Sequence, residues 1–282
     1  MFLHCGKFHF DLSRPLVMGI VNVTPDSFSD GGRHLRLEAA LVHSHRLIHE
    51  GADILDIGGE STRPGALPIS VQEELDRVMP VIEGLRGAPV PLSVDTCKPE
   101  VMCAALAAGA SMVNDINALQ QPEALAAVVA SDAAVCLMHM KGSPQTMQEQ
   151  PQYQDVVAEV VQFLRARIAA VEAAGIARER IVVDPGFGFG KTQPHNLALL
   201  HGLDAFNVLG VPVLAGLSRK SMLGAITGRD VEHRVHASVA AALLAVQRGA
   251  KIVRVHDVGA TVDVLKVWQA VNTENATMQF NS

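Results

Sequence analysis

Polar side chains close almost every apolar run of this 282-residue sequence. In chain order they are Asn22, Asp56, Asp95, the pair Asn114 and Asp115, His139, Asp184, Ser218, and the trio Arg254, His256 and Asp257. Asp95, Asn114 and Asp184 each follow a run that should be buried, so helix capping in solvent explains them poorly as a set. Two carboxylates and an amide facing one pocket suit a flat heterocycle with adjacent N–H donors, such as a 2-amino-pyrimidinone. A carboxylate accepts two parallel N–H bonds, and an amide reads a mixed donor–acceptor edge. Arg254 and His256 stand two apart on one run and so share a strand face. They bring donors suited to phosphate, and an arginine also stacks on a ring. No Ser–His–Asp or Cys–His arrangement stands out, so covalent catalysis is not expected.

The stretch D-P-G-F-G-F-G-K-T (184–192) has the look of a phosphate loop and fails both patterns. A G-x-x-x-x-G-K-[ST] loop needs glycine at 185, where Pro185 stands, and a G-x-G-x-x-G pattern from Gly186 meets Lys191. The expectation is that its glycines let backbone pass close to a flat ligand. Lys191 is expected to be a solvated lysine at the start of a helix. Two long stretches, NVTPDSFSDGG (22–32) and GGESTRPGA (58–66), are rich in Gly, Pro, Ser and Thr and unlike helix starts, which suits active-site loops. His45 and His49 have an i, i+4 spacing, but with no carboxylate completing a metal set they and His43 read as a solvated helix face.

These groups need a frame that brings strand ends together. Eight short, near-continuously apolar runs recur at 16–23, 52–59, 90–96, 111–116, 133–140, 180–186, 211–218 and 251–257. Such runs are expected of parallel strands covered by helices. Helical periodicity fills the intervals at 37–51, 71–85 behind Ser70 as N-cap, 98–110 with proline in its first turn, 122–131, 155–175, 195–210, 236–250 and 261–271. Eight strand–helix units without a linker predict an α/β fold, a (β/α)8 TIM barrel over residues 1–275. Its active site belongs at the strand C-termini. An open doubly wound sheet is the alternative, since a strand count does not establish closure. The first residues are expected to form a short hairpin across the barrel bottom, and 276–282 a polar tail.

With 49% hydrophobic residues the chain can bury a sizeable core, and at 4% aromatics that core must be aliphatic. A net charge of −6 argues against a general nucleic-acid binder and suggests no membrane surface. No stretch approaches the ~18 apolar residues of a membrane span, and the N-terminus lacks the apolar core of a signal peptide. Cys5, Cys97, Cys103 and Cys136 have no metal spacing and read as reduced thiols of a cytoplasmic protein.

G-I-V-N-V-T-P-D-S-F-S-D-G-G (19–32) and D-I-G-G-E-S-T-R-P-G-A (56–66) resemble the two signatures of the dihydropteroate synthase family. The resemblance continues in order through S-V-D-T (93–96), N-D-I (114–116), L-M-H-M (137–140), D-P-G-F-G-F-G-K (184–191), S-R-K-S (218–221) and R-V-H-D (254–257). It implies that p-aminobenzoate displaces diphosphate from (7,8-dihydropterin-6-yl)methyl diphosphate. It further implies that Asp95, Asn114 and Asp184 hold the pterin edge, that Lys220 donates to the ring and that Arg254 covers its face. Asn22, Arg254 and His256 take the diphosphate, Asn22 through Mg²⁺, making Asn22, Lys220, Arg254 and His256 the catalytic set. Thr62, Met138 and Val255 complete the pterin diphosphate site. Phe28, Thr62, Arg63, Pro64, Phe189 and Ser221 surround p-aminobenzoate. A homodimer is implied as well.

Departures from the family pattern are small: Cys97 stands where serine is expected, and V-H-A-S-V-A follows Arg234. Rival readings are a methyltetrahydrofolate methyltransferase barrel, which should lack both long loops, and a non-catalytic pterin-binding paralogue, which should have lost Lys220, Arg254 or His256. A phosphate-sugar isomerase barrel would want a glycine-rich phosphate loop after its last strands.

Overall fold

The computed structural model describes residues 1–24, 33–63, 65–147 and 149–272. They begin with an antiparallel hairpin, β1 (Phe2–Cys5) and β2 (Phe8–Asp11). Eight parallel strands follow: β3 (Leu16–Asn22), β4 (Ile54–Gly58), β5 (Leu92–Asp95), β6 (Met112–Asp115), β7 (Ala134–Met138), β8 (Ile181–Asp184), β9 (Leu214–Ala215) and β10 (Ile252–Val255). The sheet runs β8-β7-β6-β5-β4-β3-β10-β9. Its ends meet where Val183 bridges to Val213 and donates its N–H to the Pro212 carbonyl at 3.0 Å. The sheet therefore closes as a (β/α)8 barrel, and the doubly wound alternative is excluded.

Nine helices lie among the described residues: α1 (Arg33–His49), α2 (Val71–Gly84), α3 (Pro99–Ala108), α4 (Pro122–Val129), α5 (Val156–Ala173), α6 (Gln193–His201), α7 (Ser221–Thr227), α8 (Val235–Gln247) and α9 (Val258–Asn272). Local chemistry sets several starts. The Ser70 hydroxyl accepts the Glu73 N–H ahead of α2, and Asp155 accepts those of Val157 and Ala158 ahead of α5. The helix expected over 195–210 breaks at Gly202 into α6 and a 3₁₀ stretch, Leu203–Leu209. A Cβ at Gly202 would stand 3.2 Å from a Val157 methyl, so the chain presses on α5 at the break.

Strand side chains alternate between two layers. Val17, Leu55, Val94, Val113, Val135, Val183, Val213 and Val253 pack outward under the helices. Leu16, Met18, Ile54, Met112, Cys136, Val182, Leu214 and Ile252 face inward and form a separate apolar floor with Leu3, Cys5 and Leu12 of the hairpin segment. The hairpin thus plugs the barrel at the strand N-termini, as expected from the sequence. The next inward positions are different: two residues beyond Ile54, Met112, Val182 and Ile252 come Asp56, Asn114, Asp184 and Arg254. The apolar floor ends there and the polar layer begins.

Leu3 is fully buried in that floor, so Leu3→Ala should destabilise the barrel by about 2–5 kcal/mol, read as a lower urea midpoint with an unchanged slope.

Candidate active site

One cation organises the polar layer. Arg254 on β10 donates from Nε to Asp56 Oδ2 at 2.5 Å and from Nη2 to Asp95 Oδ2 at 2.6 Å. Asn114 Nδ2 donates to the same Asp56 oxygen at 3.0 Å. Burial opposes the Arg254 charge, but Asp56 and Asp95 outweigh it and hold its pKa above the ordinary value. Burial pushes Asp95 up to about 7, with Arg254 pulling the other way. Asp56 is the residue that the sequence reading missed: it was recognised as a strand-end carboxylate and given no role. It is fully buried, and its second oxygen has no hydrogen-bond partner. The signal was its place two residues after Ile54, on the face that carries Asp95 and Asn114. Asp115 faces outward and accepts the N–H groups of Asn117 and Leu119, which shapes a turn.

Asp184, at the end of β8, accepts the Gly186 N–H at 2.7 Å, and burial raises its pKa against the pull of Lys220. Lys220 donates to the Phe187 carbonyl, and its Nζ lies 4.7 Å from the centre of the half-buried Phe189 ring. Burial lowers the Lys220 pKa to about 8. Met138 is buried opposite Asp184 in the β7–β8 register.

Lys191 corrects the sequence reading. It is 2% exposed, not solvated, and its Nζ donates to the carbonyls of Gly186, Phe189 and His139 and meets His139 Nδ1 at 2.9 Å. Two of the glycines have a packing role besides the one expected of them. A Cβ on Gly186 would collide with the His139 carbonyl oxygen, and one on Gly190 with that of Lys141. Both have positive φ, so they serve close packing of one loop on another. His139, unassigned from sequence, stands edge-on to Phe163 at 4.9 Å. Its pKa is lowered to about 3 by burial and then by Lys191.

At the mouth, His256 Nδ1 lies 3.0 Å from Ser218 Oγ, which accepts the His256 backbone N–H. With one hydrogen and two lone pairs, the hydroxyl can serve either tautomer of the ring. Burial, Arg254 and Arg219 lower the His256 pKa to about 3, so the ring is neutral at pH 7. Arg219 adopts φ +57 and forks onto Asp257 with contacts of 3.0 and 2.5 Å, anchoring the loop that carries Lys220. Ser221 is exposed and opens α7 directly after Lys220. Asn22 is half-buried at the end of β3.

Glu60 braces the second long loop: it accepts the Ile69 N–H at 3.2 Å and shares the Lys98 ammonium with buried Glu74. Gly65 N–H donates to the Pro144 carbonyl at 3.2 Å. Between them lies a cavity of about 230 Å³ lined by Thr62, Asp95, Ile116, Asn117 and Ser143 among others. Arg63 is exposed beside it. Phe28 and Pro64 lie outside the described residues. The side chain of Val255 packs in the outer layer because it alternates with Arg254 and His256, leaving only its backbone for a ligand. His45 and His49 are exposed as expected, whereas His43 is half-buried with Nε2 3.2 Å from the Ile20 carbonyl.

Comparison with known proteins places this geometry. A family model described as pterin binding enzyme matches residues 18–256. A dihydropteroate synthase of Haemophilus influenzae is 52% identical, the match covering 98% of this chain and 100% of that one. The structure of Xanthomonas albilineans dihydropteroate synthase with 4-aminobenzoic acid superposes with a TM-score of 0.90 at 60% identity, covering 96% and 97%. That of Burkholderia cenocepacia dihydropteroate synthase with 7,8-dihydropteroate gives 0.87 at 54%, covering 96% of each chain.

The histidines have a consequence for acid stability. A histidine whose pKa drops from 6.5 unfolded to about 3 folded contributes fully above pH 6.5, and that contribution drains away as pH falls toward 3. Unfolding free energies from urea titrations between pH 7 and pH 4 should therefore fall less steeply in His256→Gln, by at most about 1.4 kcal/mol per pH unit.

Proposed function

The chain belongs to the dihydropteroate synthase family of pterin-binding enzymes, and we propose how its pocket performs that family's reaction. It is a transferase of folate biosynthesis that joins (7,8-dihydropterin-6-yl)methyl diphosphate and p-aminobenzoate into 7,8-dihydropteroate, releasing diphosphate. The observation that carries the assignment of roles is the polar layer itself: Asp95, Asn114 and Asp184 face one interior above an apolar floor, with Arg254 bridging two carboxylates.

Asp184 and Asn114 read the amino-pyrimidinone edge of the pterin, with Asp95 on the neighbouring strand. Met138 supplies apolar wall. Lys220 leaves the Phe187 carbonyl to donate to the ring, and Arg254, aligned by Asp56, stays beneath it. Neutral His256, in its Nε2–H tautomer, donates to the diphosphate, and Thr62 borders the same space. As the bond from the pterin methylene to the diphosphate oxygen breaks, the electron pair leaves with the diphosphate. The methylene cation is stabilised by the electron-rich dihydropterin. The neutral arylamine of p-aminobenzoate then forms the C–N bond and loses its proton, so the step needs no protein nucleophile. Phe189 walls the p-aminobenzoate side, with Arg63 and Ser221 beside it; the roles of Phe28 and Pro64 rest on the family resemblance alone.

Among the described residues no group of three His, Cys, Asp or Glu side chains could hold a metal. Asn22, half-buried at the C-terminal end of β3, the strand that pairs with β10, fits a cation that keeps its waters and arrives with the substrate's phosphates. Such a Mg²⁺ would supply charge neutralisation of the leaving diphosphate. Ile226, Leu244, Val267 and Val271 leave large apolar side chains exposed on α7, α8 and α9, which supports a homodimer through that face. The four free cysteines suit a cytoplasmic setting. No helix among the described residues is long and apolar enough to cross a membrane.

Diphosphate release in the presence of Mg²⁺ and the pterin diphosphate should depend on p-aminobenzoate, and release without that dependence would overturn the reading. Asp184→Ala should weaken pterin binding by roughly 10- to 100-fold in a calorimetric titration. Sulfonamides should compete with p-aminobenzoate; competition with the pterin would place the second substrate elsewhere.

A further inference from the structure

The turn after β8 carries a buried lysine that the reaction does not use. Lys191 sends its Nζ to the Gly186 and Phe189 carbonyls at 2.9 Å each, within its own turn, and to the His139 carbonyl at 3.2 Å on the loop after β7. It also meets His139 Nδ1 at 2.9 Å, so its three hydrogens are shared among four acceptors on two loops. The turn itself is unusual: Gly186, Gly188 and Gly190 all have positive φ, and the carbonyls of Gly186 and Phe189 meet at one ammonium. Clustered carbonyl dipoles repel one another, and a cation at their centre removes that repulsion.

The same turn presents the pocket. Gly186 is held from both sides, its N–H by the Asp184 carboxylate and its carbonyl by Lys191. Phe187, next along, gives its carbonyl to Lys220. The Asp184 carbonyl accepts the His139 N–H at 3.0 Å, which ties the start of the turn to the loop that Lys191 also grips. Two lysines therefore hold adjacent carbonyls of one short turn. In the proposed reaction Lys220 turns from its carbonyl toward a bound ring. Lys191 then remains on the turn, together with Asn196, whose Oδ1 accepts the Gly188 N–H at 2.7 Å.

We propose that Lys191 is a positioning residue for the pterin ring: by gathering three carbonyls from two loops it fixes the turn that orients Asp184 and frees Lys220 for the ligand. The inference rests on the pterin reading of the pocket. It separates from a purely structural role because its effect falls on the ring and spares the diphosphate, whose partners Arg254 and His256 sit on β10 and the residue after it.

The test is calorimetric titration of wild type, Lys191→Met and Lys191→Gln with two probes, 6-hydroxymethylpterin and inorganic diphosphate. Lys191→Met should weaken 6-hydroxymethylpterin by roughly 10- to 100-fold while leaving diphosphate within about threefold of wild type. Lys191→Gln keeps two N–H donors on a neutral head and should recover part of the ring affinity; it carries the test if the methionine variant does not fold. Unchanged ring affinity in the variant that folds, or equal losses for both probes, would overturn the inference. A wild type that binds diphosphate but no 6-hydroxymethylpterin would overturn instead the functional reading beneath it, and the inference with it.

Discussion

A guanidinium shared between two carboxylates in the interior of the barrel is the contact on which the pocket depends. Asp56 and Arg254 are 198 residues apart, and Asp95 lies 159 from Arg254, yet all three meet at one height above the apolar floor. Removing one member of such a buried set strands a charge and costs about 3–5 kcal/mol, whereas the intact set barely offsets its own desolvation. Its contribution is therefore orientation more than stability. Because Asn114 hangs from the same Asp56 oxygen, the arginine indirectly aims the amide as well.

Burial acts against charge at Asp95, Asp184, Lys220 and His256. It raises Asp95 and Asp184, lowers Lys220 to about 8 and leaves His256 neutral at pH 7. The same low dielectric strengthens each dipole aimed at a substrate, which suits a reaction whose difficulty is charge separation as diphosphate departs. The second long loop is braced by another ionic cluster, Glu60, Lys98 and Glu74, so the chain around Thr62 and Arg63 is held at both ends.

The eight strands, their order and the hairpin plug were legible because hydrophobic periodicity and turn chemistry act locally. Asp95, Asn114, Asp184 and Arg254 were legible because a polar group at the end of a buried run needs a reason, whereas Lys220 came only from the family resemblance. Asp56 was equally visible and still lost its role, since nothing local distinguishes a carboxylate that reads a ligand from one that aligns an arginine. Val255 shows a second limit: its side chain packs outward between Arg254 and His256, so any role in the site falls to its backbone, because successive side chains point to opposite faces of a strand.

Lys191 draws the sharpest line between the two sources of information. Sequence alone determined that D-P-G-F-G-F-G-K-T is no phosphate loop, because the glycine spacing of such loops is a covalent fact readable from the chain. It also determined the strand–helix alternation and the chemical types gathered at the strand ends. Only the tertiary structure decided that this lysine is buried, and that two of the glycines beside it let two loops touch. The physical reason is that a lysine's surroundings are set by which carbonyls the fold turns toward it, and those come from residues 139, 186 and 189, on two loops that only barrel closure brings together.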